Sequence, residues 1–164
     1  MYTLTMIGLA GPNIAGYTGA AAIGYCKGNI FNGHTFPVYI NHFFVNNQTG
    51  CSDLVMEPGN PSVLYAGTWR LIRTPHSLES GGEGSGLWKS TDGGETWKNI
   101  SGSKGLPKNT WGIVGVAVAP SNSNKVYAII ENKEGGLYMS ADGGTTWTLA
   151  SNDNNIRQRA WYYT

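Results

Sequence analysis

The chain has 164 residues, 11 Lys and Arg against 10 Asp and Glu, and a formal charge of +1 with 13% charged side chains. No global field therefore selects nucleic acid or an anionic membrane, while the length allows one domain with a sizeable core. Two cysteines, Cys26 and Cys51, without CxxC spacing, and no His pair at metal-ligand intervals leave no zinc site to expect, and no metal or cofactor is predicted.

Residues 1–26 carry no charged side chain, which superficially suggests an export signal or a membrane span. The stretch lacks a basic n-region and glycines interrupt its apolar run, so neither is expected. Residues 1–45 do not read as a regular repeat unit and form an atypical N-terminal segment. Within them, Gly33-His34-Thr35-Phe36 echoes the end of a motif found twice further on. Two readings stay open: a decayed copy, with 35–44 as the outer strand of a preceding unit, or an accident of four residues. A Cys26–Cys51 disulfide is open in an oxidising compartment; two unrelated thiols are the preferred reading.

From residue 46 the chain repeats. Residues 90–97 (STDGGETW) and 140–147 (SADGGTTW) share S-x-D-G-G-x-T-W at an offset of 50, preceded by GLWKS and GLYMS. Upstream, LVMEPGNPSVLYA (54–66) matches VAVAPSNSNKVYA (116–128) at an offset of 62, so one 12-residue insertion, within 67–85, separates the copies. Both copies are short apolar runs joined by turn residues without sustained helical periodicity, which predicts four strands per unit. In the clearer copy these are 115–119, 125–130, 136–140 and 146–150.

Such units repeated every 40–60 residues predict antiparallel propeller blades: 46–101 with a long loop at 67–85, then 111–151, then the start of a further blade at 152–164. The repeated box falls between the third and fourth strands, where paired glycines supply the positive φ of a tight turn. Ser90, Asp92, Gly94, Thr96 and Trp97, with Ser140, Asp142, Gly144, Thr146 and Trp147, then form a local network. Each carboxylate accepts backbone and hydroxyl hydrogen bonds, and each indole packs against the hairpin, burying roughly 200 Å². A catalytic or calcium role for Asp92 and Asp142 is the competing reading, but the turn explains every box position.

The boxes resemble the Asp-box, or BNR repeat, of β-propellers such as sialidases, xyloglucanases and sortilin (VPS10) domains. The intervening segments and RQRAWYYT (157–164) are most similar to bacterial sortilin-like propellers. The resemblance implies an all-β fold, a partial β-propeller of about two to three four-stranded antiparallel blades with Asp-box hairpins. Closed propellers need roughly four to eight blades. The expectation is therefore a fragment that closes with remaining blades of a longer propeller or by self-association.

In such a blade, the insertion 67–85 and the links 101–110 and 151–159 share the face away from the boxes. All four arginines fall there, Arg70, Arg73, Arg157 and Arg159, together with Trp69 and His76, and Trp111 follows the first link. Guanidinium groups beside tryptophans can clasp carboxylates, acidic sugars or a peptide chain. These seven residues are the candidate ligand-binding set. The alternative is that Arg70 and Arg73 anchor a long surface loop while Arg157 and Arg159 tie successive blades together.

Catalysis finds less support. With Asp92 and Asp142 assigned to turns, Asp53, Glu57, Glu79, Glu83, Glu95, Glu131, Glu134 and Asp153 remain, and nothing in the sequence pairs two of them as a glycosidase needs. The arginines form R-x-x-R and R-x-R pairs instead of coming singly from separate blades, as the sialidase resemblance would require. No G-x-S-x-G elbow is present, and the G-G-E-G-S-G run at 81–86 reads as a flexible loop. The expectation is a non-catalytic module for protein or peptide, with carbohydrate as a second ligand class and no nucleic acid. Its location, by resemblance, is extracytoplasmic. The alternative is a fragment of a xyloglucanase- or sialidase-like glycoside hydrolase.

Overall fold

The computed structural model describes residues 5–6, 24–31, 34–40, 49–74 and 76–156. Arg157, Arg159 and the rest of 157–164 lie outside the described residues, as do 41–48 and the side chain of Cys26. The described chain is all-β, and its strands pair antiparallel throughout. No helix among these residues is long and apolar enough to cross a membrane.

A first sheet of three strands, β1 (Thr5–Met6), β2 (Gly24–Phe31) and β3 (His34–Ile40), comes from the N-terminal segment. The Gly33-His34-Thr35-Phe36 echo overlaps the start of β3, which pairs with β2 from Phe31↔His34 to Gly24↔Ile40. The second sheet has the order β4 (Thr49–Glu57), β5 (Asn60–Arg73), β7 (Gly86–Ser90), β8 (Lys98–Asn99). The third is an up-and-down meander of β9 (Val114–Val118), β10 (Val126–Ile130), β11 (Gly136–Ser140) and β12 (Thr148–Ser151). Strand β12 starts two residues later than the alternation suggests, because Thr146 and Trp147 are spent on the turn before it.

The insertion differs from expectation. Instead of a loop over 67–85, β5 runs on for 14 residues and β6 (Leu78–Ser80) folds back on it, pairing Leu71↔Ser80, Ile72↔Glu79 and Arg73↔Leu78. The run Thr68-Trp69-Arg70-Leu71-Ile72 is rich in β-branched and aromatic side chains and favours a pleated strand over irregular chain. The result is a hairpin arm that extends β5 beyond the reach of β7.

Alternation sets the core. Val114, Val116 and Val118 of β9, Val126, Ala128 and Ile130 of β10, and Tyr138 of β11 are buried on one face, against Tyr65, Leu87 and Ile100 of the second sheet. Burying a Val or Leu fully stabilises by about 1.5–3 kcal/mol, so this apolar layer is what joins the two sheets. The adjoining strand edges are closed by side chains from β4: Ser52 Oγ donates to Val114 O at 2.7 Å, and Val116 N donates to Asp53 Oδ2 at 2.8 Å. Asp53 thus satisfies a backbone donor on β9, which is an edge strand.

Candidate functional site

The two ends of the sheets have different chemistry. At one end lie the turns of 90–97 and 140–147. Ser90 Oγ donates to Asp92 Oδ1 at 2.7 Å and accepts from Gly94 N at 2.9 Å, while Asp92 accepts from Thr96 N at 2.9 Å and Thr96 Oγ1 at 2.5 Å. Ser140, Asp142, Gly144 and Thr146 repeat the arrangement at 2.7, 2.8, 2.8 and 2.6 Å. The indoles of Trp97 and Trp147 donate to the carbonyls of Gly94 and Gly144. Gly93 and Gly143 adopt φ of 77° and 67°, and their N–H groups reach the neighbouring hairpins at Ser62 O and Asn124 O.

Hydrogen bonds from Thr96 and Ser90, and from Thr146 and Ser140, pull the carboxyls of Asp92 and Asp142 down to about 2. A carboxyl so held is a fixed acceptor, the opposite of a general acid, which needs a raised pKa. The second turn also contacts the second sheet: Gly143 O accepts from Tyr65 Oη at 2.9 Å and from Lys89 Nζ at 2.8 Å, and Lys89 Nζ stands 5.2 Å from the centre of the Tyr65 ring. Burial, with Glu57 nearby, raises the Tyr65 hydroxyl to about 12.

The other end gathers segments remote in sequence. Ser80 Oγ of the arm donates to Glu131 Oε2 at 2.6 Å, Ile113 N donates to the same oxygen at 2.9 Å, and Gly82 N donates to Trp111 O at 3.2 Å. Asn132 Nδ2 caps the link by donating to Lys108 O and Thr110 O at 3.1 and 2.7 Å. The arm, the link 101–113 and the loop after β10 are thereby held together. Below the link is an open depression of about 550 Å³, whose lining includes Ser85, Ser101, Ser103, Lys104, Lys108 and Trp111.

The candidate ligand residues divide. Trp69 is half-buried and its indole donates to Ser80 Oγ at 2.9 Å. Arg70 donates from Nη1 to Gly81 O at 3.0 Å and stands 3.6 Å from the exposed Glu79 carboxylate, so the guanidinium braces the arm. Arg73 ends β5 opposite Leu78, and His76 is exposed at the arm's tip. Trp111 is only 4% exposed; its indole donates to Pro107 O at 3.0 Å and its ring belongs to the core. Its ring is thus held in the core while it also lines the depression along the link. Arg157 and Arg159 lie outside the described residues. Sequence reasoning left Glu131 among the unpaired carboxylates and passed over Ser80, which bonds it and fastens the arm to the third sheet across 51 residues. Among the described residues, no group of three His, Cys, Asp or Glu is placed to hold a metal ion.

No protein-family model matches the sequence, and no curated protein matches it. Among solved structures, the chain is similar to an ancestral GH74 enzyme at 18% identity and a TM-score of 0.48, covering 84% of this chain and 18% of that one. The chain thus spans less than a fifth of that enzyme's length, and a likeness so slight carries no argument about activity.

Proposed function

We propose that the chain is part of a sortilin-like Asp-box β-propeller, non-catalytic, that binds a protein or peptide through the end away from the boxes. In this reading 46–101 and 111–151 are blades, a further blade starts at 152, and 1–45 is an atypical lead-in. The remaining blades, or other copies of the chain, are its structural partners, and its location is extracytoplasmic. The observation that carries the reading is the convergence of arm, link and loop through Ser80, Glu131, Ile113 and Asn132 at one end. Binding surfaces are commonly loops fixed on a rigid sheet scaffold, and this end has that construction. The arm's outer end holds the exposed His76, and Arg73 ends β5 there opposite Leu78.

Against catalysis stands the use already made of the carboxylates. Asp92 and Asp142 are locked in turns, Glu131 accepts from a hydroxyl and a backbone donor, and Glu79 faces Arg70. The test is binding of a panel of ten-residue acidic, basic and neutral peptides, alongside hydrolysis of chromogenic glycosides and xyloglucan oligosaccharides. The reading expects acidic peptides to bind and Arg73→Glu with His76→Ala to weaken that binding at least tenfold. Glycoside turnover by the unaltered chain, without peptide binding, would establish the hydrolase reading in its place.

A further inference from the structure

The link from β8 to β9 carries charge that the repeat does not require. At the offset of 50, Ser101, Leu106 and Trp111 return as Ser151, Ile156 and Trp161, whereas Lys104 and Lys108 stand opposite the uncharged Asn154 and Gln158. Both lysines are exposed, and both line the depression of about 550 Å³ together with Ser85, Ser103 and Asn109. No Asp or Glu is part of that lining. Among the described residues the ion pair is Arg70 with Glu79, and neither Lys104 nor Lys108 stands against a carboxylate.

The backbone that carries the two lysines is pinned to the third sheet. Trp147 N donates to Lys104 O at 2.8 Å, and Asn132 Nδ2 donates to Lys108 O and Thr110 O at 3.1 and 2.7 Å. Between those two carbonyls Asn109 has a φ of 71°, the one positive value at a non-glycine among the described residues. Such a conformation persists where the surroundings fix it, and it recurs at ligand clamps. Across the depression, Ser85 Oγ accepts from Arg70 N at 2.9 Å, and its own proton has no acceptor among the described residues. Ser103 Oγ, in contrast, is spent on Gly144 O at 3.3 Å.

We propose that this depression is an oxyanion site for a phosphate monoester, with Lys104 and Lys108 supplying the charge and the Ser85 hydroxyl a neutral hydrogen bond. An ammonium group is a compact point charge with three rotatable donors, which suits a tetrahedral oxyanion, whereas a planar carboxylate is matched better by a guanidinium fork. Two ammonium groups with no carboxylate beside them select a doubly charged group over a singly charged one of the same shape. The inference goes beyond peptide binding by the arm and does not depend on it.

The test is a titration of the full chain with methyl phosphate and with methyl sulfate, followed by amide proton–nitrogen NMR at about pH 7.5, where the phosphate ester is doubly charged and the sulfate ester singly. The expected result is a set of shifts centred on Gly102, Gly105 and Asn109, with methyl phosphate bound about tenfold or more tightly than methyl sulfate. Lys104→Asn with Lys108→Gln, the residues of the second link, should weaken methyl phosphate binding by about tenfold or more. Lys98→Asn with Lys125→Gln lowers the net charge equally, away from the depression, and should leave it unchanged. O-Phosphoserine, glucose 6-phosphate and inorganic phosphate, titrated in the same way, tell a modified side chain from a sugar or the free ion by the tighter binder. Absence of shifts within 101–111, equal affinity for the two methyl esters, or equal losses in the two double variants would overturn the proposal. The shifts are located in the unaltered chain, so a variant that fails to fold leaves that outcome decisive, and the unphosphorylated peptide panel reports on the arm separately.

Discussion

The contact of Tyr65 and Lys89 with Gly143 sets a measurable coupling. Tyr65→Phe removes one neutral hydrogen bond, worth about 1 kcal/mol net, while Lys89 Nζ still satisfies the carbonyl at 2.8 Å. Lys89→Met, which copies the third sheet, removes a charge-assisted bond and a cation–π contact, together about 1.5 kcal/mol. The double variant takes away both donors and leaves a partly buried carbonyl unsatisfied, a further cost of about 1–3 kcal/mol. The double variant should therefore lose about 4 kcal/mol, where the singles sum to about 2.5 kcal/mol. Urea unfolding of the four proteins, followed by tryptophan fluorescence, measures this coupling directly. Thermal midpoints should fall by about 2–4 °C per kcal/mol for a chain of this size. Additivity within about 0.3 kcal/mol would refute the reasoning, because it would mean that water replaces either donor and the turn is not clamped between sheets.

Three further outcomes follow from the same geometry. The unfolded chain protonates its aspartates near 3.8, whereas the turns keep Asp92 and Asp142 ionised to about pH 2. Their stabilisation is complete above about pH 4 and is lost as pH falls toward 2, so Asp142→Asn should flatten the acid limb of the stability profile. Tyr65 behaves with the opposite sign: its stabilisation is complete below pH 10 and disappears between pH 10 and about 12, and Tyr65→Phe should show a shallower alkaline loss in parallel denaturant titrations. Gly105 sits at a φ of 91° with the Trp147 carbonyl where a side chain would project, so Gly105→Ala should cost at least about 2 kcal/mol in urea unfolding.

Much of the strand order could be read in the sequence because period-two alternation and turn residues are local signals. Positions 114–118, 126–130 and 136–140 bury every second side chain, and the run GLYMS is β11 itself. The arm was not legible as structure. The G-G-E-G-S-G run beside it reads as a loop, whereas the pairing of Leu71 with Ser80 depends on a hairpin closing over Thr74 and Ser77. The fate of Trp111 also lay beyond local pattern, since a tryptophan after a link faces inward or outward according to contacts with Pro107 and the sheet core. The Ser80–Glu131 bond joins residues 51 apart and leaves no periodic trace. Nor does the register by which Tyr65 and Tyr127 recur distinguish them: Tyr65 is buried and its hydroxyl reaches Gly143 O, whereas Tyr127 is half-buried.

The box aspartates are acceptors locked into turns, and the proposed binding end is the opposite one. The most direct test is a carboxyl-carbon NMR titration of Asp92 and Asp142 in the full chain. The account predicts that both titrate near pH 2, with the Asp142 value returning toward 3.8 when Thr146 is replaced by valine and its hydroxyl bond is lost. A carboxyl titrating at or above pH 4 in the native protein would contradict it and would return the boxes to consideration as a source of catalytic acid.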